Sequence, residues 1–511
     1  MGFVEGGFIR CVDPRTGEDS GKVQCTPVAN IPGAVVRART AQVEWADLRL
    51  KERKAAVARL HAAFLDSAAD MAAALAQDCG RPAGEAWTAE IVANHELFQF
   101  WLAQIDDLLT STPVQLNPIN YPGKRGVVRL EPLGVLGLIT PWNLPVAIPL
   151  RALVPAVLAG NSVVWKGSEH SPRTAALLAQ LCDQTLPAGV ITLIQGDGTQ
   201  GQALVEAGVD AIFFTGSVRT GRQVAAAAAA QGIRSAVELG GKDAAVVLAD
   251  ADLDRAAQGI TWAAFGFAGQ NCAAVERCYV HRDIHEDFLA LVVGRTQALR
   301  PMVDVGPLVT AAQLETVTRH VSEAVAAGAE VRAGGTAEGP GFYHPPTVLT
   351  GVSEEMAVMK EETFGPVLPI TPFDDIEDAI ARINATRFGL TTSIWTGDLE
   401  LGESLADRFH CGVVTINNHS FTGALASAAW GGVKDSGPGI TNSRFSLYEM
   451  TRPKTVVVDA SKRPEMWWYP YNGALLDVTQ GVVGLARKGE PKLRALSSVI
   501  RGLRNRFKED Q

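Results

Sequence analysis

Nowhere in this 511-residue chain do eighteen apolar residues run without interruption, so no helix able to span a bilayer is expected. No CxxC pair occurs among the seven cysteines, at Cys11, Cys25, Cys79, Cys182, Cys272, Cys278 and Cys411. Their odd number and wide scatter exclude a zinc ribbon and a disulfide framework, so no metal site is expected and reduced thiols in a cytoplasmic compartment are. Basic excess is missing too. A formal net charge of -9 gives nucleic acid no general electrostatic footprint, and nucleic acid is not expected as a partner. The opening MGFVEGGFIRC lacks a charged stretch followed by a long apolar run, so no secretory signal is expected. Gly6 stands where a myristoylated Gly2 would want Ser or Thr. The fingerprint GxGxxG is also absent from its usual place after the first strand of a dinucleotide fold.

What is present is an ordinary globular composition, 47% apolar and 20% charged, in a chain too long for one core; two or three domains follow. Residues 1–34 read as turns and short strands, and apolar groups three and four apart make 34–76 and 81–109 helical. Pro113, Pro118, Pro122 and Pro132 bound a strand-like excursion that reads as a projecting hairpin. Beyond it, the buried strand 133–139 runs into Thr140-Pro141-Trp142-Asn143, where Asn143 either forms a turn or presents its amide into a crevice. Strands and helices then alternate to about residue 239 and again from 243 to 425, the signature of parallel α/β domains.

Chemistry-bearing residues sit at the ends of these strands. Lys166 and Glu169, three apart, could bond two adjacent ribose hydroxyls, and the carboxylate would repel a 2'-phosphate, favouring NAD over NADP. In Phe214-Thr215-Gly216-Ser217, a strand turns into a helix whose backbone donors could meet a pyrophosphate, although such a glycine also serves plain geometry. Glu238 precedes Leu239-Gly240-Gly241-Lys242, and Cys272 lies in GQNC some thirty residues later. A carboxylate near a cysteine can activate the thiol or a water, while a cysteine taken alone is most often a buried packing residue.

In this order and at these intervals, PWN at 141–143, WKGSE, FTGS, ELGGK, GQNC, EETFGPV and GGVKDSG resemble the NAD(P)-dependent aldehyde dehydrogenase superfamily over roughly residues 30–458. The resemblance implies Cys272 as nucleophile, Glu238 as general base and Asn143 as oxyanion donor with the Cys272 backbone N–H. It implies NAD as cofactor, with Lys166 and Glu169 at the adenosine ribose and Gly216 and Ser217 at the pyrophosphate. Glu362 and Phe364 fall at the nicotinamide end, and Thr140, Trp142, Gly198 and Leu239 along the same cleft. It further implies an α/β fold with a Rossmann-type cofactor domain (1–112 and 133–241), a second α/β catalytic domain (242–436) and a projecting oligomerisation arm (113–132 and 437–460). Homodimers or homotetramers go with it.

Where many members continue GGVKDSG with Arg-Glu, this chain has Gly439-Ile440-Thr441-Asn442. By position the substrate funnel draws on Leu144, Ile148, Arg151, Phe265 and Phe421, mostly apolar, which favours a medium or long aliphatic or an aromatic aldehyde. Three alternatives stay open: a semialdehyde dehydrogenase in which Arg151 pairs the second carboxylate, a coenzyme A-acylating relative, and a non-catalytic NAD-binding scaffold.

Residues 461–511 form an aromatic and basic extension. Leu493, Leu496, Ile500, Leu503 and Phe507 share one helical face, and residues 463–511 carry nine basic against five acidic groups in an otherwise acidic chain. This segment either packs within the molecule or across subunits, gates the funnel, lies on an anionic membrane at its inner face, or stays disordered.

Overall fold

The computed structural model describes residues 4–508 apart from 119, 338 and 490. Two compact units emerge, one built from the chain up to Thr110 with Leu130–Pro453, the other from Ser111–Arg129 with the segment from Lys454 onward.

The first unit has the expected α/β architecture, organised by two parallel sheets. In the five-stranded sheet the order is Arg234–Glu238, Ala211–Thr215, Val135–Ile139, Ser162–Lys166, Ile191–Ile194, every pairing parallel. Because helices cover both faces, these strands read as continuous apolar runs rather than alternating ones. Helix Ile31–Asp47 starts with Pro32 in its first turn and buries Ile31, Ala34, Val35, Ala38 and Trp45 at helical spacing. Chain order moves outward from Val135–Ile139 in one direction and then returns to its other side with Ala211–Thr215. The switch point therefore lies between these two strands, and the loops leaving their carboxyl ends open into a crevice. Those loops carry Thr140–Asn143 and Gly216–Ser217.

The seven-stranded sheet runs Glu330–Ala333, Thr347–Thr350, Val367–Phe373, Val275–His281, Asp243–Val247, Thr391–Trp395, Val413–Ile416, with only the first pair antiparallel. Just four residues, Leu239–Lys242, connect Glu238 at the end of one sheet to Asp243 at the start of the other. The register pairs Asp243 with Val275, so the loop before Val275 is laid beside that connection. Cys272 is in that loop.

In the second unit, strands Thr451–Asp459, Lys124–Pro132 and Thr112–Val114 form a three-stranded sheet in that order. It also holds two helices, Gly473–Ala486 and Lys492–Asn505. The arm drawn from the sequence differs from this unit in that residues 437–453 belong with the first. Ile440–Thr441 pairs with Trp430–Gly431, Asn442 Nδ2 donates to Gly423 O, and Leu447 and Met450 are buried in the first unit's core.

Trp165 is fully buried beneath the crevice, and its Nε1 donates to Thr140 Oγ1 at 2.8 Å. Trp165→Ala removes a large core side chain and orphans that hydroxyl; a loss of about 3–5 kcal/mol is expected, read as a lower urea midpoint.

Candidate active site

Asn143 is buried where the first sheet ends, and its backbone carbonyl accepts a hydrogen bond from Arg81. Arg81 also packs 4.8 Å from the Phe267 ring centre and 3.7 Å from Glu85, tying the Asn143 loop to the loop that precedes Cys272. Glu90 accepts the N–H groups of Val146 (3.2 Å) and Ala147 (2.7 Å), the otherwise unpaired donors at the start of helix Ala147–Ala159. Burial raises the pKa of Glu90, and Arg81 opposes the rise.

The approach to Cys272 is strained. Phe267, Ala268 and Gly269 have φ of 58°, 54° and 69°, and two of them pay the usual cost of a left-handed non-glycine residue. At Gly269 a Cβ would fall 2.2 Å from Gly365 O, so this close approach admits only glycine. Side chains hold the loop in place: Glu85 accepts from Phe267 N (2.7 Å), and Gln270 bridges Phe267 O (3.1 Å) and Val309 N (2.9 Å). On the far side, Ala273 O accepts from Ser420 Oγ (2.5 Å) and lies 2.9 Å from His419 Nε2.

A cavity of about 300 Å³ is lined by Trp142, Asn143, Ile148, Gly216, Ser217, Leu239, Cys272, Glu362 and Phe364, among others. Trp142 stands edge-on between Phe364 (5.6 Å between ring centres) and His170 (6.2 Å). Thr140, Lys166, Glu169 and Gly198 are not part of that lining. Thr140 is spent on Trp165, and Gly198 opens helix Gly198–Glu206, which Asp197 caps. Lys166 and Glu169 pair at 2.9 Å. Burial works to raise the Glu169 pKa, but Lys166 and His170 outweigh it and hold the carboxyl below its ordinary range. Ser217 caps helix Val218–Ala230, accepting from Thr220 N at 3.3 Å, which leaves the first N–H groups of that helix at the cavity rim.

Glu238 is buried beside Cys272. Burial lifts its pKa to about 8 against the pull of Arg151 and Thr441. Thr441 lies close enough to favour the charged form, yet neither Glu238 Oε1 nor Thr441 Oγ1 has a hydrogen bond of good geometry among the described residues. The Cys272 thiol is pushed up by burial and by Glu238 and Asp243, with Arg151 opposing. Burial lowers the Arg151 pKa, while Glu238, Cys272 and Glu90 hold it up. Arg151 is half-buried, and its guanidinium lies beside Gly423, outside the cavity lining. Leu144, Ala147 and Ile148 form an apolar cluster with Ala89 and Phe267. Phe265 does not join it: helix Leu253–Phe265 ends with that ring packed into the second sheet's core, 1% exposed. Phe421 is exposed on the turn before Thr422–Ala424.

The profile of the Aldehyde dehydrogenase family matches residues 3–456. The chain belongs to that family. It is 33% identical over 503 residues to 4,4'-diapolycopene aldehyde oxidase of Methylomonas sp, covering 96% of this chain and 94% of that protein. It is 36% identical over 475 residues to betaine aldehyde dehydrogenase 2 of Rhizobium meliloti (strain 1021), covering 89% and 97%. Among solved structures, the NAD+ complex of an aldehyde dehydrogenase from Bacillus cereus superposes with a TM-score of 0.85 at 30% identity, covering 89% of this chain and 94% of that one. The protein is thus an NAD-dependent oxidoreductase of the aldehyde dehydrogenase family, which sets aside the non-catalytic scaffold.

The crevice of this aldehyde dehydrogenase fits a dinucleotide on its own chemistry. A helix amino end suits a pyrophosphate, an ionised carboxylate beside an ammonium suits ribose hydroxyls, and Trp142, Leu239 and Phe364 offer walls for a flat ring. Sequence reading passed over what fixes Phe364. Glu276 accepts the N–H groups of Thr363 and Phe364, both at 2.8 Å, and pairs with buried Lys242; Gln313 Nε2 donates to the carbonyls of the same two residues. The available signal was a Glu-Arg pair inside an otherwise apolar strand, Val275–His281, since charges are rarely buried unless paired. Glu276→Gln leaves Lys242 buried without its counter-charge. Stability is expected to fall by about 3–5 kcal/mol, with faster amide exchange at Thr363 and Phe364 than in the rest of the core.

Proposed function

We propose that this enzyme oxidises an apolar aldehyde to its carboxylic acid through Cys272, with Glu238 as general base and Asn143 as oxyanion donor. The observation that carries this reading is Asn143 and Cys272 on one cavity wall, with Glu238 buried close enough to act on the thiol, beside the Leu144, Ala147, Ile148 and Phe267 cluster. The relative named for 4,4'-diapolycopene aldehyde also supports an apolar substrate.

Cys272 Sγ attacks the carbonyl carbon as the thiolate, its proton having left to solvent, so that Glu238 stays ionised for the later step. The carbonyl oxygen becomes an oxyanion, received by the Asn143 side-chain amide and the Cys272 backbone N–H. Bound NAD supplies the acceptor for the hydride that leaves the carbon, so that a thioester remains on Cys272. Glu238 then deprotonates a water that attacks the thioester, the carbon–sulfur bond breaks, and the thiol takes back a proton. A thiol co-substrate has less need of that base, so Glu238 favours hydrolysis over transfer to coenzyme A. The ionised Glu169 carboxylate would repel a 2'-phosphate, which supports NAD over NADP.

A second reading rests on Arg151. Its charged form is favoured by Glu238 and Cys272, and such a cation near the site could pair the distal carboxylate of a semialdehyde. Strand Thr451–Asp459 leaves one sheet edge open to a second copy of the chain, which supports a homodimer or homotetramer. The seven free cysteines suit a reducing cytoplasm.

Only deprotonated Glu238 can accept a proton. With its pKa at about 8, steady turnover should climb as pH rises through about 8 and fall on the acid side. Glu238→Gln should keep a single burst of NADH but lose roughly 10²–10⁴-fold in steady turnover and lose that ionisation from the pH profile. Unchanged steady turnover would remove Glu238 from the mechanism.

An aldehyde panel separates the substrate readings, with Cys272→Ala as the inactive control. On an apolar funnel, kcat/KM should rise about tenfold for each two or so added methylenes. Preference for a semialdehyde, lost by 10-fold or more in Arg151→Leu, would establish carboxylate recognition instead.

A further inference from the structure

Helices Gly473–Ala486 and Lys492–Asn505 pack on each other as a hairpin. Their contact is close: a Cβ at Gly481 would fall 2.7 Å from Ala495 O, and one at Gly502 would fall 2.5 Å from Ala474 O. Asp477 accepts from Arg501 Nε and Nη2, each at 2.8 Å, and Lys492 bonds the carbonyls of Leu485 and Arg487 at the end of the first helix. Ala495, Ser498, Val499 and Gly502 are thereby used up as the inner face of the second helix.

The remaining apolar face is not covered. Leu493, Leu496, Ile500, Leu503 and Phe507 recur every three or four residues and are all exposed, Leu493 to 84% and Ile500 to 58%. Leu476, Val482 and Val483 of the first helix are exposed as well. Arg506 bonds the carbonyls of Met466 and Trp468, which holds the segment containing exposed Trp468, Tyr469 and Tyr471 against the hairpin.

Charge selects among the possible occupants. From Lys492 to Lys508 the chain carries six basic residues and no acidic one. Two copies packed along this stripe would bring like charges together, and Lys492 and Arg504 flank it on either side. Neither helix is long and apolar enough to cross a membrane. An apolar stripe with a basic border and neighbouring Trp and Tyr side chains is what an anionic lipid interface accommodates, the apolar groups entering among acyl chains and the cations meeting phosphates. Ile500, Arg501, Arg504 and Lys508 also border a shallow groove of about 410 Å³, room enough for a head-group phosphate. The rest of the chain is net negative, so an anionic surface would attract this end and repel the remainder.

We propose that the C-terminal hairpin seats this enzyme peripherally on an anionic lipid bilayer through the Leu493 to Phe507 stripe. This goes beyond the catalytic reading and stands without it. The test uses the full chain and sedimentation with vesicles of phosphatidylcholine, alone or with about 30% phosphatidylserine. Binding should require the anionic lipid and should drop about tenfold in about 0.5 M salt. Ile500→Glu with Leu503→Glu, and separately Arg494→Glu with Arg504→Glu, should each cut the bound fraction about tenfold while NADH formation in solution is unchanged. Absence of binding to the anionic vesicles overturns the proposal, as does binding that both double variants retain. A fall in native mass for Ile500→Glu with Leu503→Glu, measured by light scattering, overturns it too, because a second copy would then be the occupant.

Discussion

Four residues carry the constraint on which the rest of the catalytic unit depends. Leu239–Lys242 must bridge from Glu238 in one parallel sheet to Asp243 in the other, a span of at most roughly 17 Å. The carboxyl end of the first sheet is thereby held against the amino end of the second. Glu238 is placed by the first and Cys272 by the second, and neither sheet alone would contain both. Lys242, the last residue of the bridge, pairs with Glu276 from the next strand, and Glu276 in turn bonds the backbone that carries Phe364. One short connection and one buried ion pair thus align Glu238, Cys272 and an aromatic wall.

Bringing these groups out of water has a shared electrostatic consequence. Burial raises the pKa of Glu238 and Glu362 to about 8 and raises the Cys272 thiol, to whose rise both carboxylates add. Arg151 is the cation that offsets this accumulation, since it stabilises the charged forms of both Glu238 and Cys272. A base poised near 8 suits proton abstraction from water near neutral pH better than an unperturbed carboxylate would. Thr441 adds a hydroxyl that favours the charged form of Glu238.

The second unit obeys a different logic. Its sheet ends on an open strand, and its helical hairpin satisfies one face internally while leaving the other apolar and ringed with cations. Surfaces of this kind are rarely left to water, because exposed leucine and isoleucine in register cost solubility without contributing to the core. The chain's charge is divided accordingly: acidic where chemistry is done, basic where the hairpin meets its surroundings.

By itself the sequence determined the alternation of strands and helices, the residues at the strand ends and the amphipathic face of the tail. These are local matters, set by periodicity, by apolar runs and by short spacings that survive without knowledge of the partner element. Lys166 ends strand Ser162–Lys166, and Gly216 and Ser217 stand between strand Ala211–Thr215 and helix Val218–Ala230, places that a linear pattern can locate. Tertiary structure alone decided what lies across from what. It took Phe265 into the second core, spent Thr140 on Trp165, left Gly198 outside the cavity lining and set the Arg151 charge where it acts on Glu238 and Cys272. It also brought Glu276 and Lys242 together across 34 positions, and moved residues 437–453 from the arm into the catalytic unit. The physical reason is common to all of these. Burial and pairing are properties of two surfaces in contact, and a linear pattern specifies only one of them.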